Sequence, residues 1–118
     1  MAEQYFYKIP KIVEAIQLDM NDYQSMVNIL LMCGHNNNIE EMKQYIDSSK
    51  FVHDGEAYFT VQNFHDDCSH VKLGCKHEDY VVKYTNMYSG TIIVEVVDKL
   101  VFNQYCKKMS DIVKESNP

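Results

Sequence analysis

The chain has 118 residues, of which 46% are hydrophobic and 24% are charged. These proportions are typical of one folded domain and exclude a fibre or a disordered tail. No stretch approaches about 18 consecutive apolar residues, and the first ten residues lack the basic start and the apolar segment of a signal peptide. We therefore expect one cytoplasmic domain over residues 1–118, with a frayed tail over 112–118 and no membrane contact. In a reducing cytoplasm the four cysteines are expected as thiols or metal ligands.

The formal net charge is −6, and all eleven basic residues are lysine. Lysine lacks the bidentate geometry with which arginine grips phosphate and guanine, so a nucleic-acid ligand is disfavoured. Residues 40–79 carry nine carboxylates against four lysines, which makes the middle of the chain its acidic part. Such a surface attracts a basic protein partner, although the same charges also serve solubility.

The first predicted element is a strand over Ile12–Leu18, an apolar run that follows Pro10. A helix comes next, capped by Asp19 or Asn21 and ended by Gly34, because glycine readily adopts the left-handed conformation that follows a helix. The apolar stripe of this helix is predicted to consist of Tyr23, Met26, Val27, Leu30 and Leu31.

A second, shorter helix is predicted to begin at Asn38, with Glu41 three residues on as in a capping box, and to end near Ser48. The hydrophobic period then changes from helical to two, and Asp54-Gly55 marks a tight hairpin turn. In the strand after this turn, the residues predicted to point inward are Ala57, Phe59 and Val61.

Three strands follow the predicted hairpin, and they cover His70–Leu73, Tyr80–Tyr84 and Thr91–Val97. Gly74 is interpreted as a break, and the last strand is predicted to be central because it has the densest run of β-branched residues. Asp98 is predicted to cap a final helix over Lys99–Met109. The inward residues of that helix are predicted to be Val101, Phe102, Tyr105 and Met109.

These elements together predict the fold class. No internal repeat, linker or low-complexity tract divides the chain. We expect a single α+β domain whose mainly antiparallel sheet has about five strands, with two or three helices on one face.

One segment combines the residue types that bind zinc. Its candidate ligands are His65, Cys68, His70, Cys75 and His77. On an extended chain the pairs 68/70 and 75/77 each share a face, and a bend at Gly74 would turn the pairs toward each other. The spacing matches neither a zinc ribbon nor a zinc finger, so the alternatives are a structural zinc site and a polar loop without a cofactor.

Catalytic motifs are not recognisable in the sequence. The four glycines are isolated from one another, so a phosphate-binding loop and a nucleophile elbow are absent. Cys68 with His65 or His70 is the one local pairing of a nucleophile with a base. Adjacent carboxylates such as Asp66-Asp67 point in different directions, unlike an acid and a base that face one bond. We therefore predict a protein that is not an enzyme.

Acidic side chains around an exposed tyrosine form the predicted partner-binding surface. Tyrosine offers a large contact area at low entropic cost, and surrounding carboxylates steer a basic partner toward it. The residues predicted to form this surface are Glu40, Glu41, Asp54, Glu56, Tyr58, Asp66 and Asp67.

Three segments resemble a widespread family of small bacteriophage accessory proteins. Lys8–Gln17 is similar to that family's opening, in which basic residues and a proline precede a strand reading Val/Ile-Glu-Ala-Ile-Gln. His77–Lys83 resembles its Pro-Gly-Asp-aromatic-Ile-Ile-Lys stretch, with Glu78 in the place of the glycine. Leu100–Tyr105 resembles its closing Ile-Phe-Glu-Lys-Thr-Tyr helix. The segment over 36–76 matches no part of the family.

The resemblance implies a phage accessory protein with a sheet-plus-helix fold, and it transfers no activity. We therefore expect a non-enzymatic protein that binds and inhibits a host defence or regulatory protein through an acidic surface, in the host cytoplasm. The alternatives are a protein that sequesters a nucleotide immune signal and a structural or assembly protein of the virion. Whether the protein forms a homodimer stays open.

Overall fold

Residues 13–65 and 71–105 are described from a computed structural model of the chain. Their elements in chain order are β1 (Glu14–Gln17), α1 (Tyr23–Met32), α2 (Ile39–Ser48), β2 (Lys50–His53), β3 (Glu56–Gln62), β4 (Lys72–Lys76), β5 (Tyr80–Thr85), β6 (Ile92–Val97) and α3 (Lys99–Tyr105). The strands form two three-stranded antiparallel sheets, in the orders β1-β5-β6 and β2-β3-β4. The predicted α+β class is confirmed, whereas the expected single sheet is divided into two. None of the described helices has the length and apolarity that crossing a membrane requires.

The cap of α1 differs from the predicted one. α1 begins after Asp22, whose carboxylate accepts the Gln24 backbone N–H at 3.0 Å. The predicted cap at Asp19 or Asn21 is wrong, because the Asp19 carboxylate accepts the Asn21 N–H at 2.9 Å within the preceding turn. Because this turn precedes the helix, α1 begins only after Asp22.

The buried face of α1 is also rotated relative to the predicted stripe. Met26 and Ile29 are buried, whereas Tyr23 and Leu31, which the prediction placed on the stripe, are 44% and 41% exposed. The end of the helix is as predicted, since Gly34 follows it with a φ of +91°, a conformation that glycine adopts without strain.

The second helix follows the prediction at both ends. The Asn38 side-chain carbonyl accepts the Glu41 backbone N–H at 3.1 Å, and α2 ends at Ser48. Met42 and Ile46 are the buried side chains of α2. They point α2 toward the same core as α1.

The β2–β3 hairpin confirms the clearest local prediction. Asp54 and Gly55 have φ values of +50° and +79°, the pair of left-handed residues that tight hairpins use. Phe59 is fully buried and Tyr58 lies on the opposite face of β3. Ala57 shares the face of Phe59 but is exposed beside the turn.

The fourth strand runs through Gly74, so the break predicted there is wrong. A Cβ added to Gly74 would lie 3.2 Å from Cδ1 of Tyr58 and 3.4 Å from Cζ of Phe51. These two rings are stacked with their centroids 5.1 Å apart. Gly74 therefore makes room for an aromatic pair on the outer face of the sheet. The predicted start of the strand at His70 lies outside the described residues.

The central strand of the β1-β5-β6 sheet is β5. The prediction that Thr91–Val97 is central is therefore wrong, since β6 lies at the edge of its ladder. Its β-branched side chains serve burial instead, and Val94 is only 8% exposed. β-branched residues favour a half-buried pleated surface, which an edge strand can also provide.

The last described helix, α3, packs on β5. Asp98 caps it as predicted by accepting the Leu100 N–H at 2.8 Å. The Phe102 ring stacks on Tyr80 with the centroids 3.7 Å apart. Val101, predicted to point inward, is 47% exposed, because the face of α3 that carries Phe102 is the one against the sheet. The predicted continuation to Met109 and the frayed tail over 112–118 lie outside the described residues.

The core lies between the two helices α1 and α2 and the inner faces of both sheets. Apolar side chains from all these elements make it up, and burying them supplies the main stabilisation of the fold. Its buried members are Leu18, Met26, Ile29, Leu30, Met32, Cys33, Met42, Ile46, Phe59, Val61, Cys75, Val81 and Val94.

Candidate functional site

The predicted partner-binding carboxylates that the structure describes lie on separate elements. Glu40 and Glu41 are in the first turn of α2, where carboxylates interact favourably with the helix dipole. Asp54 and Glu56 lie at the β2–β3 hairpin. Among the described residues no hydrogen bond or ion pair joins these two groups.

Glu56 and Tyr58 of the predicted surface have partners within their own sheet. The Glu56 carboxylate lies 3.7 Å from Nζ of Lys76, and the Tyr58 hydroxyl donates to it across 3.4 Å. Tyr58 is half-buried because its ring stacks on Phe51. The Asp66-Asp67 pair lies outside the described residues. The predicted surface is therefore described as two acidic groups and not as one ring of charge around Tyr58.

Two candidate zinc ligands have structural roles. Nε2 of His65 lies 2.9 Å from the Met32 carbonyl, and the His65 ring packs against Gly34. Cys75 is fully buried in the core, and burial raises the pKa of its thiol to about 12. A raised pKa disfavours the thiolate that zinc binds.

Of the remaining candidate zinc ligands, His77 is the one that lies within the described residues. His77 lies in the turn after β4, and its Nδ1 accepts the Met20 backbone N–H at 3.0 Å. Cys68 and His70 lie outside the described residues. Within the described ranges, no three His, Cys, Asp or Glu side chains form a group that could hold a metal ion.

A cleft of about 520 Å³ lies where the turn after β1, the start of β3, the end of β4 and the start of α3 meet. We call it the α3 cleft. Met20 and Leu100 contribute apolar surface to it. Its charged lining residues are Glu56, Lys76, Asp79, Asp98 and Lys99.

Both lysines of the α3 cleft are held by carboxylates. Nζ of Lys76 lies 3.7 Å from Glu56, and the negative charges of Glu56 and Asp79 raise the pKa of Lys76. Nζ of Lys99 lies 3.0 Å from Oε2 of Glu78, and this hydrogen bond lowers the pKa of Glu78. Both ammonium groups are therefore already paired with a carboxylate.

The turn between β4 and β5 ties one wall of the cleft to the end of β1. The Glu78 N–H donates to the Leu18 carbonyl at 2.7 Å, and the Leu18 N–H donates to the Asp79 carbonyl at 2.8 Å. The Gln17 side chain donates to the Glu78 carbonyl at 3.0 Å. These backbone contacts hold the turn in one conformation.

Within this turn Glu78 has a φ of +72°, a region that favours glycine. Glycine is the residue that the resembling phage motif has before its Asp. The glutamate side chain uses the position to reach Lys99 of α3. The turn therefore connects β1, β4 and α3 through one residue.

A second, smaller groove of about 270 Å³ lies between β4 and β6. Its lining is mainly apolar and includes Leu73 and Ile92. The Asn63 side chain bridges the two sheets there by donating to the Ile92 carbonyl at 2.8 Å. No charged side chain among the described residues lines this groove.

Sequence reasoning found only part of the α3 cleft. Glu56 was predicted as a partner-binding residue and Asp98 only as a helix cap, while Asp79 and Lys99 were not predicted as site residues. These side chains come from segments that are distant in sequence, and no local motif connects them. The pairing of β3 with β4 and of β5 with β6, together with the packing of α3 on β5, brings them to one place.

Comparisons with known proteins give no independent assignment. The chain matches no protein-family model, and neither a curated protein nor a solved structure matches it significantly. The candidate site therefore rests on the geometry and the charges of the described residues.

Proposed function

We propose that the protein acts by binding a positively charged surface of another protein and that it catalyses no reaction. The observation that carries this proposal is the charge balance of the described surface. Residues 13–65 and 71–105 contain twelve carboxylates and six lysines. A surface with such an excess of negative charge raises the rate at which a basic partner associates.

Pairing leaves the size of this excess unchanged but raises the ratio of unpaired carboxylates to unpaired lysines among the described residues. Three of the six described lysines lie within 4 Å of a carboxylate, and these are Lys76, Lys83 and Lys99. Most of the other described carboxylates have no lysine partner of this kind. An approaching protein therefore meets more accessible carboxylates than ammonium groups.

The resemblance to phage accessory proteins points to a host protein as the partner. We infer that binding covers a basic surface that a host defence or regulatory protein needs for its own function. Inhibition would then follow from occlusion and would need no chemistry at the interface.

Protein binding fits the α3 cleft better than capture of a nucleotide signal does. A phosphate group needs donors that are free to approach it. Lys76 and Lys99 are instead paired with Glu56 and Glu78. Carboxylates beside a phosphate would also repel it.

Affinity capture from a bacterial lysate tests the proposal. We expect immobilised protein to retain a basic protein at about 50 mM salt and to release it at about 500 mM, because salt screens surface charges. A bait with the exposed carboxylates replaced by amides should lose this protein, and the substitutions are Glu40→Gln, Glu41→Gln, Glu56→Gln and Asp98→Asn. The matched control, Lys43→Gln with Lys50→Gln, should retain it. An empty eluate, or equal retention by the neutralised bait, would contradict the proposal.

A further inference from the structure

We propose that the α3 cleft is the docking site for the partner and that it takes an arginine or lysine side chain followed by an apolar one. This inference rests on the proposed function and deepens it, because it places binding at one site. It also moves the expected contact away from the first turn of α2.

Negative charge is concentrated around this cleft. Lys76 and Lys99 are its two lysines. Five carboxylates line the cleft or pair with its lining residues, and they are Asp19, Glu56, Glu78, Asp79 and Asp98. Five carboxylates against two lysines leave an excess of three negative charges at the cleft, which equals half of the formal net charge of −6. A cationic side chain is the complementary ligand for such a site.

Asp79 provides an acceptor in the wall of the cleft. The residue is among the buried polar ones, with 7% of its surface exposed. Oδ2 accepts the Lys76 backbone N–H across 3.3 Å, and no fully buried side-chain oxygen among the described residues lacks a hydrogen-bond partner. A guanidinium or ammonium group of a partner would form a charge-assisted hydrogen bond with this carboxylate.

Apolar surface lies directly beside these charges. Leu100 lines the cleft and is 71% exposed, and Val101 next to it is 47% exposed. Protein interfaces combine an apolar centre with a charged rim. The apolar side chain that we expect next to the partner's basic residue would cover Leu100.

The cleft is formed before a partner arrives. The stack of Phe102 on Tyr80 and the ion pair of Lys99 with Glu78 hold α3 on the body of the protein. Asp98 caps α3 at the edge of the cleft. Preformed sites bind with a smaller loss of conformational entropy.

Amide-resolved NMR with a small probe locates the site. The probe is N-acetyl-arginyl-leucine amide, and its control is the same dipeptide with citrulline, which has the shape of arginine without the charge. We expect the arginine probe to shift the amide signals of Asp79, Asp98 and Leu100, and the citrulline probe to leave them unchanged.

Two double substitutions distinguish binding at the α3 cleft from binding at the first turn of α2. Glu56→Gln with Asp79→Asn should weaken arginine-probe binding about fivefold or more. Glu40→Gln with Glu41→Gln should change it less than about twofold. If the first variant loses its dispersed amide spectrum, Glu56→Gln with Asp98→Asn replaces it, since asparagine also caps helices.

The outcomes distinguish this inference from the proposed function. Shifts centred on Glu40 and Glu41, or equal shifts with citrulline, would overturn the docking site. So would a complete lack of shifts with the arginine probe. The capture experiment decides the proposed function separately, because it does not depend on where the basic protein binds.

Discussion

Glu78 and Lys99 form an ion pair that joins the β4–β5 turn to α3, with Oε2 and Nζ 3.0 Å apart. Glu78 makes this contact from a left-handed backbone conformation, at a φ of +72°. The backbone conformation therefore favours glycine, while the position of α3 depends on the carboxylate. Substitutions at residue 78 can separate the effect of the backbone conformation from the effect of the ion pair.

We expect Glu78→Gly to leave Tm unchanged or to raise it, because the relief of the left-handed conformation offsets the loss of an exposed ion pair. Thermal unfolding followed by circular dichroism measures this. Asp54→Gly, at a φ of +50° but without a lysine partner, is the control and should raise Tm. A fall in Tm of more than about 5 °C for Glu78→Gly would contradict this, because it would mean that the ion pair stabilises the fold more than the left-handed conformation destabilises it.

The same ion pair predicts a loss of stability in acid. Lys99 lowers the pKa of Glu78 below its ordinary value of 4.5 in the folded protein. The stabilisation by this ion pair is therefore complete above pH 4.5, and it is lost as the pH falls through the lowered pKa of Glu78 in the folded protein. In urea unfolding at neutral pH, the free energy of unfolding should be higher for wild type than for Lys99→Met. This difference should become smaller in acid. Lys50→Met, in exposed β2, is the control, and its difference from wild type should not become smaller in acid. If the difference for Lys99→Met stays constant with pH, the ion pair is not the source of the acid sensitivity.

His65 and Gly34 test whether the histidine has a structural role. A Cβ at Gly34 would lie 2.8 Å from Nδ1 of His65, and the residue also has a φ of +91°. We expect Gly34→Ala to lower the free energy of unfolding by about 2–4 kcal/mol. Gly55→Ala, at a φ of +79° with open space around it, should cost only about 1–2 kcal/mol. Equal losses in urea unfolding would mean that the His65 ring does not pack on Gly34 as described.

The buried thiols of Cys33 and Cys75 should resist alkylation in the folded protein. Burial raises the pKa of each from 9.0 to about 12. At pH 8 this lowers the thiolate fraction roughly a thousandfold, and the thiolate is the reactive form. Mass spectrometry after iodoacetamide treatment should find both sites labelled only in urea. Labelling at similar rates with and without urea would contradict their burial.

Features of the fold that depend on neighbouring residues were predictable from the sequence. The Asp54-Gly55 turn and the Asn38 cap each follow from the chemistry of one short segment. The end of α1 at Gly34 is of the same kind. Periodicity also placed Phe59 correctly on the inner face of β3.

Features that depend on distant contacts were not predictable. Gly74 suggested a break, but it lies beneath the Tyr58 ring, which comes from another strand. Division of the strands into two sheets depends on pairing that no local pattern specifies. Likewise, Asp79 and Asp98 meet at the α3 cleft because β5 pairs with β6, with Tyr80 opposite Val97. The candidate site therefore became visible only in three dimensions.

The affinity of the captured basic protein for two charge-neutralised variants tests the central claim most directly. Isothermal titration at about 50 mM and 500 mM salt would compare wild type with Glu56→Gln/Asp79→Asn and with Glu40→Gln/Glu41→Gln. We predict that the first variant binds about fivefold or more weakly at low salt, that the second resembles wild type, and that salt weakens wild-type binding. Equal affinities for all three proteins, or binding that salt does not change, would contradict an acidic docking cleft.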